Sequence, residues 1–574
     1  MTYYRCANLT GSPVCGGNVV NMNSAYHSCS NLTGSPVCGP NVTNMADTYC
    51  YCNNLTGSPV CGQNVINMSN TYRNCRNLTG SPVCGSNVTN MFNTYTNCHN
   101  LTGSPVCGLN VVDMANTYFN CSNLTGFPTC GENVLYMNMT YWGCSNLTGS
   151  PICGPNVTNM GSTYSGCSNL TGSPVCGNKV VDMSYTYNGC RNLTGSPVCE
   201  ENVTNMHATY ENCYNLTGSP ICGSNVTSMY GTYRNCDNLT GSPVCGDKVT
   251  NMGNAYLWSS NISGAPVCGP NVVNMANTYS GCYNLTGIPV CGDNVTNMYA
   301  TYNNCRNLTG SPVCGNRVTS MYRTYDNCFK LIGSPVCGDK VTSMYDTYYH
   351  CRNLTGFPVC GENVTHMTST YKLCYNLTGF PVCGEKVKNM SNAYAECRNL
   401  TGSPVCGENV VDMSYAYLNC WNLAENGYFY SPNINFMNSC FSGKYNSKCL
   451  NIYLPANSLS LTKALYSNNS SIVGKNITWT DDTVTNGCYY NTTYNVYIYP
   501  VEDVEQVRLE NEFDNQIESF DENKYVNVIN NVATVKTSWE YTVSSLTVDS
   551  GKMFAMNINI DELENVIIDS MGVK

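Results

Sequence analysis

Charged side chains are scarce in this sequence of 574 residues. Asp, Glu, Lys and Arg together make up 11% of it, against about one quarter in ordinary soluble proteins. His and Trp occur only five times each, and no apolar run approaches the roughly 18 residues that a membrane-spanning helix needs. We therefore expect no membrane span. Without a basic face, we also expect no nucleic-acid partner.

Catalytic motifs are missing as well. The sequence contains no HExxH, no GxSxG and no phosphate-binding glycine loop, and no Cys has a His partner that recurs with it. These absences predict a protein that is not an enzyme and that needs no cofactor.

Repetition is what the chain has in abundance. Cys recurs every 23 residues from Cys6 to Cys420, with Ser259 as the one exception, and a second series runs from Cys15 to Cys406. These two columns hold 36 of the 40 Cys. With the Cys6-type residue as offset 0, the unit reads C-x-N-L-T-G-S-P-V-C-G-x-N-V-T-N-M-x-x-T-Y-x-x, and eighteen copies run without insertion to Asn419.

A 23-residue unit suits one coil of a solenoid, because neighbouring coils can stack and bury a shared core. Pro at offset 7, between Gly at offsets 5 and 10, predicts a short extended stretch. From Val42 to Cys52 the apolar residues lie three or four apart, which predicts a helical turn or two. Each coil is therefore expected to contain a strand, a corner, a short helix and a corner, as in an α/β solenoid.

The repeat resembles the BspA-type leucine-rich repeat surface proteins. The family pattern is matched in order by Leu32, Val37, Val42, Met45, Thr48-Tyr49 and Cys52. The chain departs from it by Cys at offset 9 and by Ser at offset 6, where only Phe127, Phe357, Phe380 and Ile288 are large and apolar. The resemblance covers about three quarters of the chain and implies a leucine-rich-repeat-like stack of 18 coils. It also implies adhesion to cells, matrix proteins or glycans.

Invariant columns mark what stacking requires. Offset 20 is Tyr in every place from Tyr3 to Tyr417. An aromatic column of this kind could be a binding stripe, but a core position is the favoured interpretation. The second copy defines the predicted structural ladder: Cys29, Leu32, Val37, Cys38, Val42, Met45 and Tyr49.

The Asn column at offset 2 and the two Cys columns each allow more than one interpretation. Asn at offset 2, as in Asn31 and Asn54, is interpreted as an internal ladder. The same column forms glycosylation sequons in seventeen of eighteen copies, but no secretory signal is evident at the N-terminus. The Cys columns are expected to be buried thiols, with some disulfides as the alternative. Zinc is not expected, because the five His occupy five different offsets.

Variation concentrates at offsets 1, 11, 17, 18, 21 and 22, which we assign to solvent. Aromatic residues there could form a contact surface, although drift at unconstrained positions would also produce them. The candidate binding residues are Phe119, Trp142, Tyr230, Tyr299, Tyr322, Tyr345 and Tyr349.

The C-terminal part of the chain has a different composition. Residues 500–574 carry 15 acidic and 5 basic side chains, which accounts for the net charge of −10 of the whole chain. We divide the chain into a solenoid (1–419), degenerate repeats or a C-terminal cap (420–499) and a small, mainly-β but α+β acidic domain for attachment or oligomerisation (500–574). A virion or homo-oligomer partner is expected at 500–574 or at the first coil, which no cap precedes.

Three functions remain open at this stage. The preferred one is a phage tail-fibre or receptor-binding protein that binds a cell-surface protein or glycan, because a virion protein reaches the outside without a signal sequence. The alternatives are a microbial surface adhesin and a passive virion spacer. Ice binding is disfavoured, because the Thr columns at offsets 4, 14 and 19 lie in separate segments. The expected location is a virion or an extracellular surface.

Overall fold

A computed structural model describes residues 3–424, 426–429, 431, 433–437 and 439–441, and beyond them the backbone of strand segments between 450 and 559. The chain forms two compact units, Met1–Val295 and Thr296–Lys574. The division at Val295 falls inside the region predicted as one solenoid, 1–419. The predicted boundaries at 419 and 499 stay predictions.

Stacked tyrosines mark the core of the coils in both units. In the first unit the rings at offset 20 stack from Tyr3 to Tyr279, with centroids 5.3–5.6 Å apart. In the second unit they stack from Tyr302 to Tyr417, and Phe441 continues the stack at 5.6 Å. Within each unit, successive 23-residue coils therefore pack directly on one another.

Backbone hydrogen bonds between coils follow an alternating pattern. In the segment from offset 16 to offset 22, every second N–H donates to a carbonyl of the next coil, as Tyr26 does to Thr48 at 2.9 Å. Between them, the N–H groups at offsets 19 and 21 donate to the carbonyl three residues earlier, as Ala25 does to Met22 at 2.9 Å, and the N–H at offset 17 donates to the side chain at offset 15, as Ala46 does to Asn44 Oδ1 at 3.0 Å. The segment thus pairs its backbone donors partly within the coil and partly with the neighbouring coil.

The predicted helical segment is wrong. The residues from offset 17 to offset 22 form consecutive turns, and the part of the chain that the structure describes contains no helix. Offsets 18 and 22 have positive φ, as at Asp47 (53°) and Tyr51 (63°). A right-handed helix cannot include such residues, and only Gly, Asn and Asp adopt this conformation readily. Asn or Gly occupies many places in both columns.

The predicted strand is also mostly absent. In the described coils before residue 405, offsets 6–9 have no regular secondary structure, and neighbouring coils are joined by single parallel bridges at offset 15, such as Asn44↔Asn67. Of the eighteen regular copies, all of which the structure describes, the last has a strand at the expected place, Val405–Cys406. The expected α/β class is therefore replaced, in the described coils, by a stack of turns and irregular segments.

Strands are concentrated in the second unit. They are β1 (Val405–Cys406), β2 (Asn426–Phe429), β3 (Leu450–Pro455), β4 (Lys475–Thr480), β5 (Thr493–Tyr497), β6 (Glu505–Asn511), β7 (Tyr525–Val526), β8 (Ala533–Lys536), β9 (Thr542–Asp549), β10 (Phe554–Ala555) and β11 (Asn557–Asn559). Their sheets have the orders β1-β2-β3-β4-β5-β11, β6-β9-β8 and β10-β7. The pairs from β1 to β5 are parallel, and the others are antiparallel.

The parallel pairs keep a spacing close to that of the repeat. Val405 pairs with Tyr428, 23 residues later, and Leu450 pairs with Lys475, 25 residues later. Such spacing is what degenerate coils in 420–499 would give, although that assignment stays a prediction. In 500–574 the structure describes strand segments only, so the predicted α+β attachment domain lies largely outside the described residues.

Candidate binding face

The structure places most of the predicted ladder inside the coil. Cys29, Leu32, Val42, Met45 and Tyr49 are buried, whereas Val37 and Cys38 are half-buried. The Tyr49 hydroxyl donates to the carbonyl of Val37 at 2.7 Å and accepts from the Val37 N–H at 3.0 Å. Because both hydrogen-bonding functions of the hydroxyl are used internally, this tyrosine column has nothing to offer a partner.

The buried cysteine column is held by hydrogen bonds. The Cys52 thiol donates to the carbonyl of Tyr26, 26 residues earlier, and Cys75 donates likewise to Tyr49, both at 3.0 Å. Cys52 and Cys75 are free thiols. Ser259, the exception in this column, donates from its hydroxyl to the Tyr233 carbonyl in the same way. The column therefore requires a small donor, not a disulfide partner.

The asparagine column at offset 2 is not internal. Asn31 and Asn54 are exposed, which corrects the prediction of an internal ladder. A second asparagine column, at offset 12, bonds between coils but is also exposed: the Asn41 amide donates to the Gly17 carbonyl at 2.8 Å. Where Lys replaces Asn at offset 12, the coil keeps a cross-coil bond, as from Lys179 Nζ to Asn156 Oδ1 at 2.6 Å.

The variable columns at offsets 17, 18, 21 and 22 belong to the run of turns, and the predicted binding residues lie there. Trp142 and Tyr299 are exposed, and Phe119, Tyr230, Tyr322, Tyr345 and Tyr349 are half-buried. The structure brings them together in separate groups, two in the first unit and one in the second.

The first unit carries two outward aromatic groups. Phe119 and Trp142, at offset 21 of neighbouring coils, stack with centroids 4.5 Å apart. Tyr230 stacks on His207 at 4.8 Å, and His207 Nε2 is 2.8 Å from the Tyr185 hydroxyl. Burial lowers the pKa of His207, which keeps the imidazole neutral near pH 7. Tyr185 and His207 were not predicted; their columns were recognised as variable, but their contact depends on stacking of neighbouring coils.

The second unit carries the longest outward stack. Tyr299, Tyr322 and Tyr345 occupy offset 17 of three successive coils, with centroids 5.0 and 4.8 Å apart and ring planes 6° apart. The Arg323 guanidinium lies over the Tyr322 ring, 5.6 Å from its centroid. Its Nε is 3.1 Å from an Asp346 carboxylate oxygen. The result is a flat set of tyrosine edges beside one exposed cation; we call these four residues, with Asp346, the tyrosine patch.

A buried carboxyl group lies next to the tyrosine patch. Asp326 is nearly inaccessible, and its carboxylate accepts from the Asn303 amide at 2.9 Å. Burial, together with the Asp346 charge, raises the pKa of Asp326 to about 7, although Arg323 opposes the shift. Tyr349, the remaining predicted residue, meets the His350 ring edge-on at 5.8 Å and does not join the stack.

Some of the most exposed aromatic side chains were missed as binding candidates. Phe127, Phe357 and Phe380, at offset 6, are 61–67% exposed. Phe357 packs over Gly379, where a Cβ would lie 2.0 Å from the ring, so the next coil must have glycine there. Their sequence signal was visible, because each stands in a column that is mostly Ser.

No protein-family model matches the chain. No curated protein is significantly similar to it. Over the described part of the chain, no helical segment combines the length and the apolar character that crossing a bilayer requires.

Solved structures show a distant likeness to leucine-rich repeat proteins. One is a leucine-rich repeat protein from Bacteroides ovatus, with 15% identity, a TM-score of 0.36, and coverage of 75% of this chain and 93% of that one. Another is a leucine rich cell surface protein from Faecalibacterium prausnitzii, with 14% identity, a TM-score of 0.26, and coverage of 62% and 82%. Similarity at this level does not establish a family or an activity.

Proposed function

We propose that the chain is a non-enzymatic binding protein that presents the tyrosine patch to a protein partner on a cell surface. The observation that supports this proposal is the stack of Tyr299, Tyr322 and Tyr345 beside Arg323. These side chains lie on columns that the fold leaves free to vary, so stacking of the coils does not require them.

A protein partner fits the patch better than a sugar does. The rings of the stack cover one another's faces, so the middle ring, Tyr322, presents its edge and hydroxyl to solvent rather than an open face. Sugar rings usually need an open aromatic face, whereas protein interfaces use tyrosine edges, hydroxyls and arginine. Tyr and Arg are also enriched among the residues that contribute most to protein binding.

The cysteines support binding rather than catalysis. Burial raises the pKa of Cys84 and of Cys107 to about 11, so both thiols are protonated near pH 7. A nucleophilic Cys needs a thiolate that is accessible near neutral pH. The half-buried cysteine column therefore serves packing between coils.

The more specific versions of this function stay proposals based on the sequence. In the preferred version the chain is a phage tail-fibre or receptor-binding protein, carried on a virion through 500–574. In the alternative it is a microbial surface adhesin. Both versions use the same patch and an extracellular location, so one binding experiment tests their common element.

The experiment compares the full chain with a variant in which Tyr299, Tyr322 and Tyr345 are replaced by Ser. The control carries Thr368→Ala and Ser391→Ala, which alter small residues of the same column. Fluorescently labelled proteins are titrated onto a panel of microbial and animal cells, untreated, protease-treated or glycosidase-treated. We expect the triple variant to lose affinity by at least about 30-fold, the size of one strong interface residue.

The treated cells identify the partner class. Loss of wild-type binding after protease treatment supports the proposal, and loss only after glycosidase treatment replaces the protein partner with a glycan. Equal binding of the folded triple variant and the control would remove the tyrosine patch from the interface. No binding to any cell in the panel would favour the passive spacer.

A further inference from the structure

Cys50 stands outside the two cysteine columns. It occupies offset 21, a variable column, and His27 occupies the same column in the preceding coil. Asp47 lies three residues before Cys50, at offset 18. The five His occupy five different offsets, so no zinc site recurs with the repeat, but this set of residues occurs once.

The three side chains converge in the first unit. A ring nitrogen of His27, a carboxylate oxygen of Asp47 and the Cys50 sulfur all lie within 4.8 Å of one another. Ligands around a tetrahedral zinc ion are about 3.3–3.8 Å apart, given the usual Zn–S, Zn–N and Zn–O distances. Small side-chain rotations would therefore bring these three groups around one ion.

The backbone holds the three residues in place. The Ser28 N–H donates to the Cys50 carbonyl at 2.7 Å, which joins the two coils directly at the site. The Asp47 N–H donates to the Ser69 carbonyl at 2.9 Å, and Asp47 has a φ of 53°, which orients its side chain differently from that of a helical residue. The ligating groups thus come from segments fixed by bonds on both sides.

The His27 ring already has an orienting contact. Its Nδ1 is 2.9 Å from the Ser28 hydroxyl, and its ring stacks on Tyr4 with centroids 5.0 Å apart. Histidine ligands commonly make such a hydrogen bond through the nitrogen that does not bind the metal. In this arrangement Nε2 is the ligating atom.

The surroundings contain a further oxygen acceptor. Asn70 follows Asp47 in the offset-18 column, and its Oδ1 is buried without a hydrogen-bond partner among the described residues. Such an acceptor is expensive to leave unpaired. A water molecule on a bound ion would give it a donor. Arg73 opposes the binding of a cation. It occupies the same column as Cys50 in the next coil, and its positive charge acts on the Cys50 thiol.

We propose that His27, Asp47 and Cys50 bind one zinc ion, with water as the fourth ligand. The sulfur and nitrogen donors favour zinc over calcium or magnesium, which prefer oxygen ligands. Cys50 is buried whereas His27 and Asp47 are half-buried, so the ion enters from the solvent side. The bound ion joins two neighbouring coils of the first unit, independently of the partner proposed above.

Binding exchanges a proton for the metal. The thiol proton leaves to solvent as the Zn–S bond forms, and the thiolate and carboxylate together neutralise the ion. Affinity should consequently rise with pH.

Cobalt is a suitable probe, because thiolate-bound tetrahedral Co²⁺ has characteristic visible and charge-transfer absorption. The reduced full chain is titrated with Co²⁺ and then with Zn²⁺, beside the variants Cys50→Ser and His27→Asn. The matched controls are Cys61→Ser, which removes a half-buried thiol of the regular column, and His99→Asn. Circular dichroism verifies that every variant is folded.

We expect one equivalent of Co²⁺ to give the absorption in the wild type and in both controls, and Zn²⁺ to abolish it. Cys50→Ser should lose the charge-transfer band, and His27→Asn should weaken binding by at least about tenfold. Ser28→Ala should weaken it by about 10- to 100-fold, as for other residues that orient a histidine ligand. Absence of the bands in the wild type, or their persistence in folded Cys50→Ser, would overturn the proposal.

Discussion

Two sets of aromatic rings stack between neighbouring coils. They differ in burial, in the hydrogen bonding of their hydroxyls and in ring spacing. The inner tyrosines at offset 20 are buried, and their hydroxyls are bonded within their own coil, as Tyr118 is to Val106 at 2.7 Å. The outer groups extend over two or three coils, and their side chains are exposed or half-buried. The outer rings also lie closer together, at 4.5–5.0 Å against 5.3–5.6 Å.

The comparison shows that stacking alone does not indicate function. In this repeat, residues at the same offset of neighbouring coils face each other, so aromatic side chains in adjacent places tend to stack. What distinguishes the outer groups is that the fold does not need them. The inner column uses every ring and every hydroxyl for packing, whereas the outer groups keep edges and hydroxyls that a partner can bind.

The largest expected effect is alkaline unfolding of the inner columns. Burial raises the pKa of Cys52 to about 12 and that of Tyr118 well above its usual value. Unfolded Cys and Tyr titrate at about 8.5 and 10, so above those values the unfolded state loses protons that the folded state keeps. Stability is therefore complete below about pH 8 and is lost as pH rises, and we expect cooperative unfolding before pH 12.

Tyrosinate absorbance and circular dichroism, followed together against pH, measure this effect. The folded chain should show a delayed tyrosine titration that coincides with loss of structure. Replacing the outer residues Tyr299, Tyr322 and Tyr345 by Ser should leave the midpoint of this transition unchanged. Complete tyrosine titration at about pH 10 with intact structure would show that the inner column is accessible.

Replacing one inner tyrosine gives the next largest effect. Tyr118→Ala removes a fully buried ring and should destabilise the first unit by about 3–5 kcal/mol. Tyr118→Phe should cost about 1–2 kcal/mol, because the Val106 N–H and carbonyl both lose the hydroxyl. Urea unfolding monitored by circular dichroism measures both changes.

The adjacent outer residue provides the control. Phe119→Ala removes a ring that is only half-buried and stacks on Trp142, so it should cost no more than about 1.5 kcal/mol. A loss for Phe119→Ala as large as that for Tyr118→Ala would abolish the distinction between inner and outer stacks.

The buried carboxyl group beside the tyrosine patch predicts a smaller effect. Because burial raises the pKa of Asp326 to about 7, its contribution to stability is complete below the unfolded pKa of about 4 and is lost as pH rises through 7. Asp326→Asn should therefore stabilise the second unit by about 1–3 kcal/mol more at pH 8 than at pH 5.

Thermal unfolding of the wild type and of Asp326→Asn at the two pH values measures the difference. Asp346→Asn is the useful comparison, since Asp346 bonds directly to Arg323. Equal shifts of Asp326→Asn at both pH values would mean that the carboxyl group is ionised throughout.

Much of the inner region could be predicted from the sequence, and the reason is repetition. The Met45 and Tyr49 columns are invariant across the copies, and the Leu32 column changes only to Ile262; these columns marked positions that the structure buries. The conformation of the coil could not be derived in the same way, because apolar residues three or four apart suit a helix and a run of turns equally well. The residues that decide between them, such as Asn70 at offset 18 with φ of 54°, are polar and lie outside the apolar pattern.

The outer region was predictable only in part. The variable columns pointed to side chains that the structure groups together, including Tyr299 and Tyr322, but not to the stacking of those two rings or to the pairing of Tyr185 with His207. Those contacts join residues 22 or 23 positions apart and depend on the register of the coils. The asparagines at offset 2 were predicted to be internal but are exposed. Uniformity alone does not distinguish an internal ladder from an exposed one.

The smallest expected effect concerns the buried cysteine column. Cys167 donates from its thiol to the Tyr141 carbonyl at 3.0 Å, and Ser259 makes the equivalent bond by its hydroxyl. Cys167→Ser keeps a small donor in place and should therefore cost less than about 1 kcal/mol in urea unfolding. Cys167→Ala removes the donor and leaves a small cavity, so it should cost about 1 kcal/mol more than Cys167→Ser. If Ser proved as costly as Ala, the column would depend on the volume and polarisability of sulfur, and Ser259 would be a weak point in its coil rather than a substitute.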